Sequence, residues 1–184
     1  MSKSPRFPPI APEERSEAQR KLAEDIASGP RGGVRGPFLP LMHHPVLATH
    51  VQQIGSFLRY GTSIPHPLVE LAILVIARRW TCQFEWYAHA PIGLKAGLPP
   101  ILVDEIAMGI RPVGMDADQA LMFDLTSEIM QTGRLADEAF ARAAQRFGRE
   151  GVLEIIGLCG YYSMLAFVLN VADDPLPDGA PAPL

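Results

Sequence analysis

The side chains of this sequence that are best able to do chemistry lie within the twenty residues from Glu70 to His89. Cys82, Glu85 and His89 supply a thiol, a carboxylate and an imidazole, and Glu70 supplies a second carboxylate. The apolar run 71–77 separates Glu70 from the other three. Polar groups beside so much apolar surface are costly to bury unless they pair or react. This segment is therefore the first candidate for an active site.

Helical spacing would bring these four side chains together. If 70–89 is one helix that turns by ~100° per residue, all four fall within about a third of its circumference. The helix could instead break here, with Thr81 as the N-cap of a new helix. In that case Cys82, Glu85 and His89 still follow an i, i+3, i+7 pattern and share one face. Both arrangements predict a single reactive face.

Each member of this face has a chemistry that fits its type. Glu85 and His89 are four residues apart, so one can tune the other as a general acid or base. Cys82 near a helix N-terminus would have a lowered pKa, which favours the thiolate. Glu70 adds a carboxylate, and two carboxylates in one site raise the pKa of one of them. Each also has a simpler interpretation: a surface hydrogen bond for Glu85 and His89, a small buried hydrophobe for Cys82, and a helix-dipole partner for Glu70.

The elements that must position this face are helices, separated by proline and glycine. Pro12, Pro45 and Pro67 suit the starts of helices, and no alternating pattern or fixed-period repeat suggests a sheet. We therefore expect an all-α, single-domain helical bundle. The predicted helices are, approximately, 12–28, 46–60, 67–80, 82–96, 100–109, 116–131, 136–147 and 150–171.

Composition divides the chain into three parts. Residues 1–12 are predicted to be an extended N-terminal arm, 13–172 the helical domain, and 173–184 a Pro/Gly-rich tail that wraps a neighbour or stays loose. Within the helical part, 28–40 holds four glycines and three prolines and is predicted to be irregular. A compact domain rarely keeps such a loop unless it lies beside a site.

Charge and cysteine content argue against several classes of protein. The net charge of −4 argues against a nucleic-acid partner. Two cysteines do not make a disulfide framework, which favours a reducing cytosol. The apolar runs are short of the ~20 residues that span a bilayer, and the N-terminus lacks the apolar segment of a signal peptide. We expect a cytoplasmic protein with a small-molecule substrate and no membrane partner.

The pattern from Glu70 to His89, ELxxLxxAxxxxCxxExxxH, resembles the carboxymuconolactone decarboxylase family, which includes alkylhydroperoxidase D. The match is strongest over 70–98 and extends more loosely to 29–37 and 159–177. The resemblance implies a helical bundle of the alkylhydroperoxidase D-like type that forms homo-oligomers, as trimers or hexamers. It also implies sites between helices that a neighbouring subunit often completes.

The resemblance separates two branches of that family. In the peroxidase branch a glutamate is followed by Cys-x-x-Cys-x-x-x-His, which Glu70, Cys82 and His89 match, while Glu85 occupies the second cysteine position. One thiol beside a carboxylate cannot close a disulfide, and Cys159 could resolve it only with Cα atoms within about 7 Å. The lactone decarboxylase branch has Glu-x-x-x-His, which this chain matches, although it does not share Cys82.

The first hypothesis is a cofactor-independent lyase or isomerase on a small carboxylated or lactone-type substrate. His89 would be the general acid or base, Glu85 would set its tautomer and pKa, and Glu70 would transfer a second proton or position water. Arg31 or Arg35 of the glycine-rich loop would hold a substrate carboxylate. A solvated loop charge is an equally good interpretation of these arginines.

Three alternatives use the same residues differently. A thiol-dependent, alkylhydroperoxidase-like peroxidase would oxidise Cys82 to a sulfenic acid. A metal site would take Glu70, Glu85 and His89 as ligands, although the resemblance implies no metal and no cofactor. A non-catalytic helical oligomer would use the polar cluster to join subunits.

Further polar residues could complete a pocket. His43 and His44 follow the glycine-rich loop, and Tyr161, Tyr162 and Asn170 interrupt an apolar run of the last helix. They could line the site, or they could be satisfied at the surface or within the core.

Overall fold

The computed structural model describes residues 4–184, and over this range it contains helices and no strands. The all-α fold class is therefore confirmed. Residues 1–3 of the predicted N-terminal arm lie outside the described residues. The α-helices are α1 Glu17–Ser28, α2 Phe38–Leu41, α3 Pro45–Tyr60, α4 His66–Arg79, α5 Gln83–Lys95, α6 Pro100–Ala107, α7 Ala117–Thr132 and α8 Asp137–Ala172.

Helix α4 is the central element of the bundle. Every residue from Leu68 to Ala77 is buried, Glu70 included. Helices α5, α6, α7 and α8 all pack against it. A helix that is apolar on every face is stable only when it is covered on every face. The apolar run of α4 therefore places it at the centre and carries Glu70 into the interior.

The reactive segment folds as two helices with a tight turn between them. Helix α4 ends at Arg79, and Thr81 has a left-handed backbone with a φ of 48°. Cys82 is the N-cap of α5, so the N-cap predicted at Thr81 is wrong by one residue. The turn lets α5 pack against α4.

Two other boundaries differ from the sequence prediction. Pro12–Glu14 forms a separate 3-10 helix, and α1 begins after Ser16, which forms a capping box with Gln19. The side chains of these two residues satisfy backbone N–H groups that the start of a helix leaves free. Phe38–Leu41 is helical, although the whole of 28–40 was expected to be irregular.

Helix α8 is interrupted where the sequence predicts a boundary. Gly148 has a φ of 70° and a ψ of 172°, which only glycine adopts readily, so the helical geometry breaks there. By length and composition α8 is the one helix of the described range that could cross a membrane. This is weak evidence, because the core helix of a soluble protein passes the same test, and α8 buries Ile155, Leu158 and Leu165.

The C-terminal tail lies against its own chain. The side-chain amide of Gln83 donates to the carbonyl oxygen of Leu184 at 2.9 Å and accepts from its N–H at 2.9 Å. Arg6 donates to the carbonyl oxygen of Val171 at 2.7 Å and lies 4.0 Å from Asp173. The arm and the tail thus pack on the domain, where the sequence suggested a loose tail or one that wraps a neighbour.

Candidate active site

His89 is held between two buried carboxylates. Glu70 on α4 and Glu85 and His89 on α5 are 0%, 3% and 5% exposed. The Nδ1 atom of His89 lies 2.7 Å from Oε2 of Glu70. The Nε2 atom lies 3.4 Å from Oε2 of Glu85. Packing of α5 against α4 therefore brings together three of the four residues singled out in the sequence.

These two contacts reverse the roles expected for the carboxylates. A carboxylate accepts hydrogen bonds and cannot donate them, so the bond to Glu70 places the ring hydrogen on Nδ1 of His89. The Nε2 atom is left as the basic nitrogen. Glu70, and not Glu85, thus sets the tautomer of the imidazole. Glu85 lies beside the nitrogen that is free to exchange a proton.

The other oxygen of Glu70 is less well satisfied. Its Oε1 atom is buried and makes no hydrogen bond to any described residue. The imidazole Nε2 of His66, one turn earlier on α4, lies 3.4 Å away, and this side chain is 49% exposed. His66 therefore lies between the buried Glu70 and solvent.

A cavity of about 1050 Å³ opens onto Glu85 and His89. Its walls come from the glycine-rich loop, the end of α3, the first turns of α5, α8 and residues 173–177 of the tail. Glu70 does not line this cavity, so it supports His89 from behind. Pockets of ~300–1,000 Å³ are typical of sites for small molecules. The cavity is large enough for a metabolite-sized ligand beside Nε2 of His89.

Burial changes the acidity of two groups on the cavity wall. Desolvation raises the pKa of Glu85, and electrostatic interactions with His89, Arg59 and Arg31 oppose this shift without cancelling it. Burial also raises the pKa of Tyr162 well above its usual value. The Tyr162 ring packs edge-on against His89 with 5.3 Å between ring centroids. Its hydroxyl is buried and has no hydrogen-bond partner among the described residues. Burial therefore favours the neutral form of both acids that flank the imidazole.

Cys82 also lies at the cavity wall, but its thiol is not activated. The residue is completely buried, and burial raises its pKa to about 11. Hydrogen bonds from backbone N–H groups of α5 oppose this shift but do not offset the desolvation. The lowered pKa expected for a thiol at a helix N-terminus is therefore wrong. Cys159 is likewise free and buried, and burial raises its pKa to about 12.

The arrangement does not resemble a metal site. In the range 4–184, no three His, Cys, Asp or Glu side chains are placed to hold a metal ion. Glu70 and Glu85 contact opposite nitrogens of the His89 ring, so the imidazole separates the carboxylates. Ligands of one ion would converge on a common point. The geometry therefore gives no support to the metal-site alternative.

The two arginines of the glycine-rich loop occupy different places. Arg31 donates from Nη2 to the hydroxyl of Tyr161 at 3.2 Å, and its guanidinium lies 4.8 Å from the centroid of the Phe38 ring. Arg35 is exposed, although it also lines the cavity. Of the two predicted substrate-binding residues, Arg31 is thus fixed by the fold and Arg35 is exposed to solvent.

The glycine-rich loop is seated directly on α5. Gly36 has a φ of 54°, and a Cβ atom at this position would overlap the ring of Phe84. A left-handed backbone and close contact at the same position both require glycine. The loop therefore lies close to the helix that carries Glu85 and His89.

Other polar residues named from the sequence divide between the site and the surface. His44 caps the first turn of α3, and His43 Nε2 lies 2.9 Å from the carbonyl oxygen of Pro8. Neither histidine lines the cavity. Asn170 lines it and donates to the carbonyl oxygen of Trp80 at 2.9 Å.

Two contributors to the site are missing from the sequence prediction. Arg59 in the last turn of α3 lines the cavity. Gly55 on the same helix leaves the space that Arg31 and Tyr161 occupy, because a Cβ atom there would overlap the Tyr161 hydroxyl. A glycine inside a helix costs about 1 kcal/mol relative to alanine and so indicates a packing reason. That signal could have identified Gly55, whereas Arg59 has the sequence context of an ordinary helix C-terminus.

A solved structure shares this architecture over nearly the whole chain. It is the crystal structure of a protein from Ralstonia eutropha JMP134 described as an alkylhydroperoxidase AhpD core and an uncharacterized peroxidase-related protein. The similarity covers 93% of this chain and 91% of that one, with a TM-score of 0.77 and 16% sequence identity. This chain has the alkylhydroperoxidase D fold. The fold implied by the sequence resemblance is thus confirmed.

The alkylhydroperoxidase D fold does not by itself identify the reaction. No protein-family model and no curated protein matches the chain. At 16% identity the solved structure shows a common fold alone. The reaction therefore has to be argued from the side chains around the cavity.

Proposed function

We propose that this protein is a cofactor-independent acid–base enzyme, a lyase or isomerase that acts on a small carboxylated or lactone-type substrate. The observation that carries the proposal is the imidazole of His89 held between Glu70 and Glu85 at the wall of a cavity. A carboxylate behind a histidine fixes its tautomer and stabilises the imidazolium that forms when it takes a proton. Glu70 has this position.

Glu85 supplies the second half of a proton-transfer pair. Because burial raises its pKa, the neutral carboxyl group can deliver a proton while Nε2 of His89 takes one. In an isomerisation, Nε2 removes a proton from the carbon next to a carbonyl, and the electron pair of that bond forms an enolate. The Glu85 carboxyl then protonates another carbon of the enolate. Both groups are restored when Nε2, 3.4 Å from Glu85, releases its proton to solvent and Glu85 takes one up.

The same pair serves decarboxylation. The bond between the substrate carbon and its carboxylate breaks, CO₂ leaves, and the electron pair stays on the substrate as an enolate. A proton passes from Glu85 to Nε2 of His89, Nε2 delivers it to the carbon, and Glu85 regains a proton from solvent. The hydroxyl of Tyr162 is buried and has no hydrogen-bond partner among residues 4–184. It lies at the same cavity and would donate a hydrogen bond to the enolate oxygen.

A substrate screen tests this function. Small lactone acids and keto acids are incubated with the purified protein, and product formation is followed by NMR. We expect His89→Ala and Glu85→Gln to lower turnover by about 10²–10⁴-fold while the circular dichroism spectrum is unchanged. Wild-type turnover in either variant would exclude the assignment.

The second candidate function is a thiol-dependent peroxidase that uses Cys82. It is favoured by the position of Cys82 at the same cavity and by the peroxidase-related description of the solved structure. A thiolate would attack the O–O bond of a peroxide, forming a sulfenic acid and releasing an alcohol or water. Glu85 stands where the second cysteine of the peroxidase motif would be, so an external thiol would have to reduce Cys82. The high pKa of Cys82 argues against this reaction.

Trapping a sulfenic acid at Cys82 tests the peroxidase. The protein is treated with hydrogen peroxide in the presence of dimedone, and Cys82 is examined by mass spectrometry. A stoichiometric adduct would support the peroxidase, and an unmodified Cys82 would eliminate it.

The protein is further proposed to form a homo-oligomer, as a trimer or hexamer. Helices α3 and α8 pack together and expose large apolar side chains. Exposed apolar patches are typical of interfaces. These side chains are Ile54, Phe57, Leu153 and Ile156. Size-exclusion chromatography with light scattering measures the mass of the assembly. If Glu85→Gln changed this mass and no substrate were found, the non-catalytic helical oligomer would be favoured.

A further inference from the structure

Arg59 brings an unused positive charge to the cavity. Its side chain lines the wall at the end of α3, and its guanidinium lies 5.1 Å from the centroid of the Tyr60 ring. Its Nε atom is buried and has no hydrogen-bond partner among the described residues. Within the same range it forms no ion pair with a carboxylate. A buried guanidinium N–H without an acceptor is unfavourable, and a bound anion would satisfy it.

Arg31 has a comparable free donor on the facing loop. Its Nη2 atom donates a hydrogen bond to the Tyr161 hydroxyl at 3.2 Å. Its Nε atom is buried and, like that of Arg59, has no partner in the described chain. Since Tyr161 and the space left by Gly55 fix the side chain, Arg31 presents an oriented donor and not a mobile surface charge.

The carboxylate on the same wall does not neutralise these arginines. Glu85 lies within electrostatic range of both guanidiniums, yet neither forms an ion pair with it. The other carboxylates at the cavity belong to Asp173 and Asp174 at the start of the tail, and Asp173 lies 4.0 Å from Arg6. The part of the wall formed by α3 and the loop is therefore positive, and no described residue accepts a hydrogen bond from its Nε donors.

We propose that Arg59 and Arg31 together form a subsite that binds a carboxylate group of the ligand, next to Glu85 and His89. Guanidinium groups are planar forks of donors that match the two oxygens of a carboxylate. A carboxylate held there would place the adjoining carbons of the ligand beside Nε2 of His89. The subsite deepens the proposed function, on which its role in turnover rests, but its binding can be measured without turnover.

Calorimetric titration of simple ligands tests the subsite. Acetate, succinate and benzoate are titrated into the wild-type protein and into Arg59→Gln and Arg31→Gln. Acetamide and inorganic phosphate serve as the uncharged and the non-carboxylate comparison. The matched control is Arg149→Gln, which removes one positive charge from an exposed position of α8. Arg59→Lys keeps the charge and loses the fork.

We expect saturable binding of at least one carboxylate to the wild type and to Arg149→Gln, and at least tenfold weaker binding to Arg59→Gln and Arg31→Gln. Binding to Arg59→Lys should be intermediate. No saturable binding, unchanged affinity in Arg59→Gln, or a preference for phosphate would each overturn the proposal. Circular dichroism melts of each variant show that it is folded.

A fifth variant keeps this test separate from the proposed reaction. His89→Gln should bind the carboxylate with nearly the wild-type affinity, because His89 is not part of the subsite. If His89→Gln retained turnover but the arginine variants lost binding, the proposed chemistry would fail and the subsite would stand.

Discussion

Glu70 Oε2 and His89 Nδ1 lie 2.7 Å apart, although the two residues are 19 positions apart in the chain and lie on different helices. Gly93, one turn after His89 on α5, faces the same part of α4. A Cβ atom at Gly93 would lie 2.9 Å from the Leu98 side chain and 3.7 Å from the Cβ atom of Glu70. The position of the imidazole is thus set by the packing of two buried helices and not by a flexible loop.

Replacing Glu70 by glutamine should release the tautomer of His89. An amide can donate as well as accept, so the Gln side chain no longer requires the hydrogen on Nδ1. In Glu70→Gln we expect a mixture of tautomers and a loss of turnover of about 10²–10⁴-fold. NMR of ¹⁵N-histidine-labelled protein reads the tautomer directly. His43→Gln, which lies away from the cavity, is the control, and an unchanged His89 spectrum in Glu70→Gln would contradict the assigned role.

Glu85 should make the protein less stable as the pH rises. Its pKa in the folded state is raised above 4.5, the value in the unfolded chain. At a pH between the unfolded and the folded pKa, the folded protein therefore binds more protons than the unfolded chain. The free energy of unfolding therefore decreases with increasing pH across this window. The contribution is complete below pH 4.5 and is lost as the pH passes the folded-state pKa.

Glu85→Gln removes this dependence. The free energy of unfolding of the variant relative to the wild type should increase as the pH rises above 4.5, by at most about 1.4 kcal/mol per pH unit. Cys82, with its pKa raised from 9.0 to about 11, affects stability only at higher pH, and Asp118, with its pKa lowered from 3.8, only at lower pH. Parallel melting curves for the two proteins would show that Glu85 is not perturbed by burial.

Both cysteines should be unreactive in the folded protein. Burial raises the pKa of Cys82 to about 11 and that of Cys159 to about 12, so almost no thiolate is present near neutral pH. Alkylation by iodoacetamide should be at least about 100-fold slower than in the protein unfolded by guanidinium, since a pKa two units higher lowers the thiolate fraction by that factor. Intact-mass spectrometry follows the reaction. Fast, selective labelling of Cys82 would instead favour the peroxidase.

Gly55 should be essential to the position of Arg31. In Gly55→Ala the new methyl group overlaps the Tyr161 hydroxyl and displaces its hydrogen bond with Arg31. Overpacking of this kind costs about 1–3 kcal/mol of stability, and carboxylate binding should weaken with it.

Gly160→Ala is the matched control for Gly55→Ala. Gly160 also lies within a helix, but a Cβ atom there meets no atom of the described residues within 4 Å. This variant should gain about 1 kcal/mol from helix propensity. Equal free energies of unfolding for the two variants in chemical denaturation, or equal melting temperatures in thermal melts, would refute the packing role of Gly55.

The sequence predicts most of the helices because their signals are local. Pro45, the apolar run of α4 and Gly148 each mark an element or a boundary that the structure contains. The sequence predicts the N-cap at Thr81 because threonine has the better capping side chain. The backbone of Thr81 is left-handed, and Cys82 is the N-cap. The helical turn at Phe38–Leu41 was missed because proline and glycine around it are typical of loops.

The site could be predicted only in part. The i, i+4 spacing places Glu85 and His89 together on any helix. The closer contact of His89, with Glu70, depends on how α4 and α5 pack. Spacing along the chain therefore predicts Glu85, and not Glu70, as the carboxylate that sets the tautomer of His89. Burial of Cys82 likewise depends on tertiary packing, which reversed the expected direction of its pKa shift. Arg59 enters the site only through the packing of α3.

The central claim is that His89, supported by Glu70, exchanges a proton with the carbon skeleton of a substrate. Its most direct test is turnover in D₂O of a lactone acid or keto acid identified by the substrate screen, followed by ¹H and ¹³C NMR. Wild type and Cys82→Ser should introduce deuterium at a carbon of the product, and His89→Gln should do so at least about 100-fold more slowly. Deuterium incorporation by His89→Gln at the wild-type rate, or its loss in Cys82→Ser alone, would contradict the account.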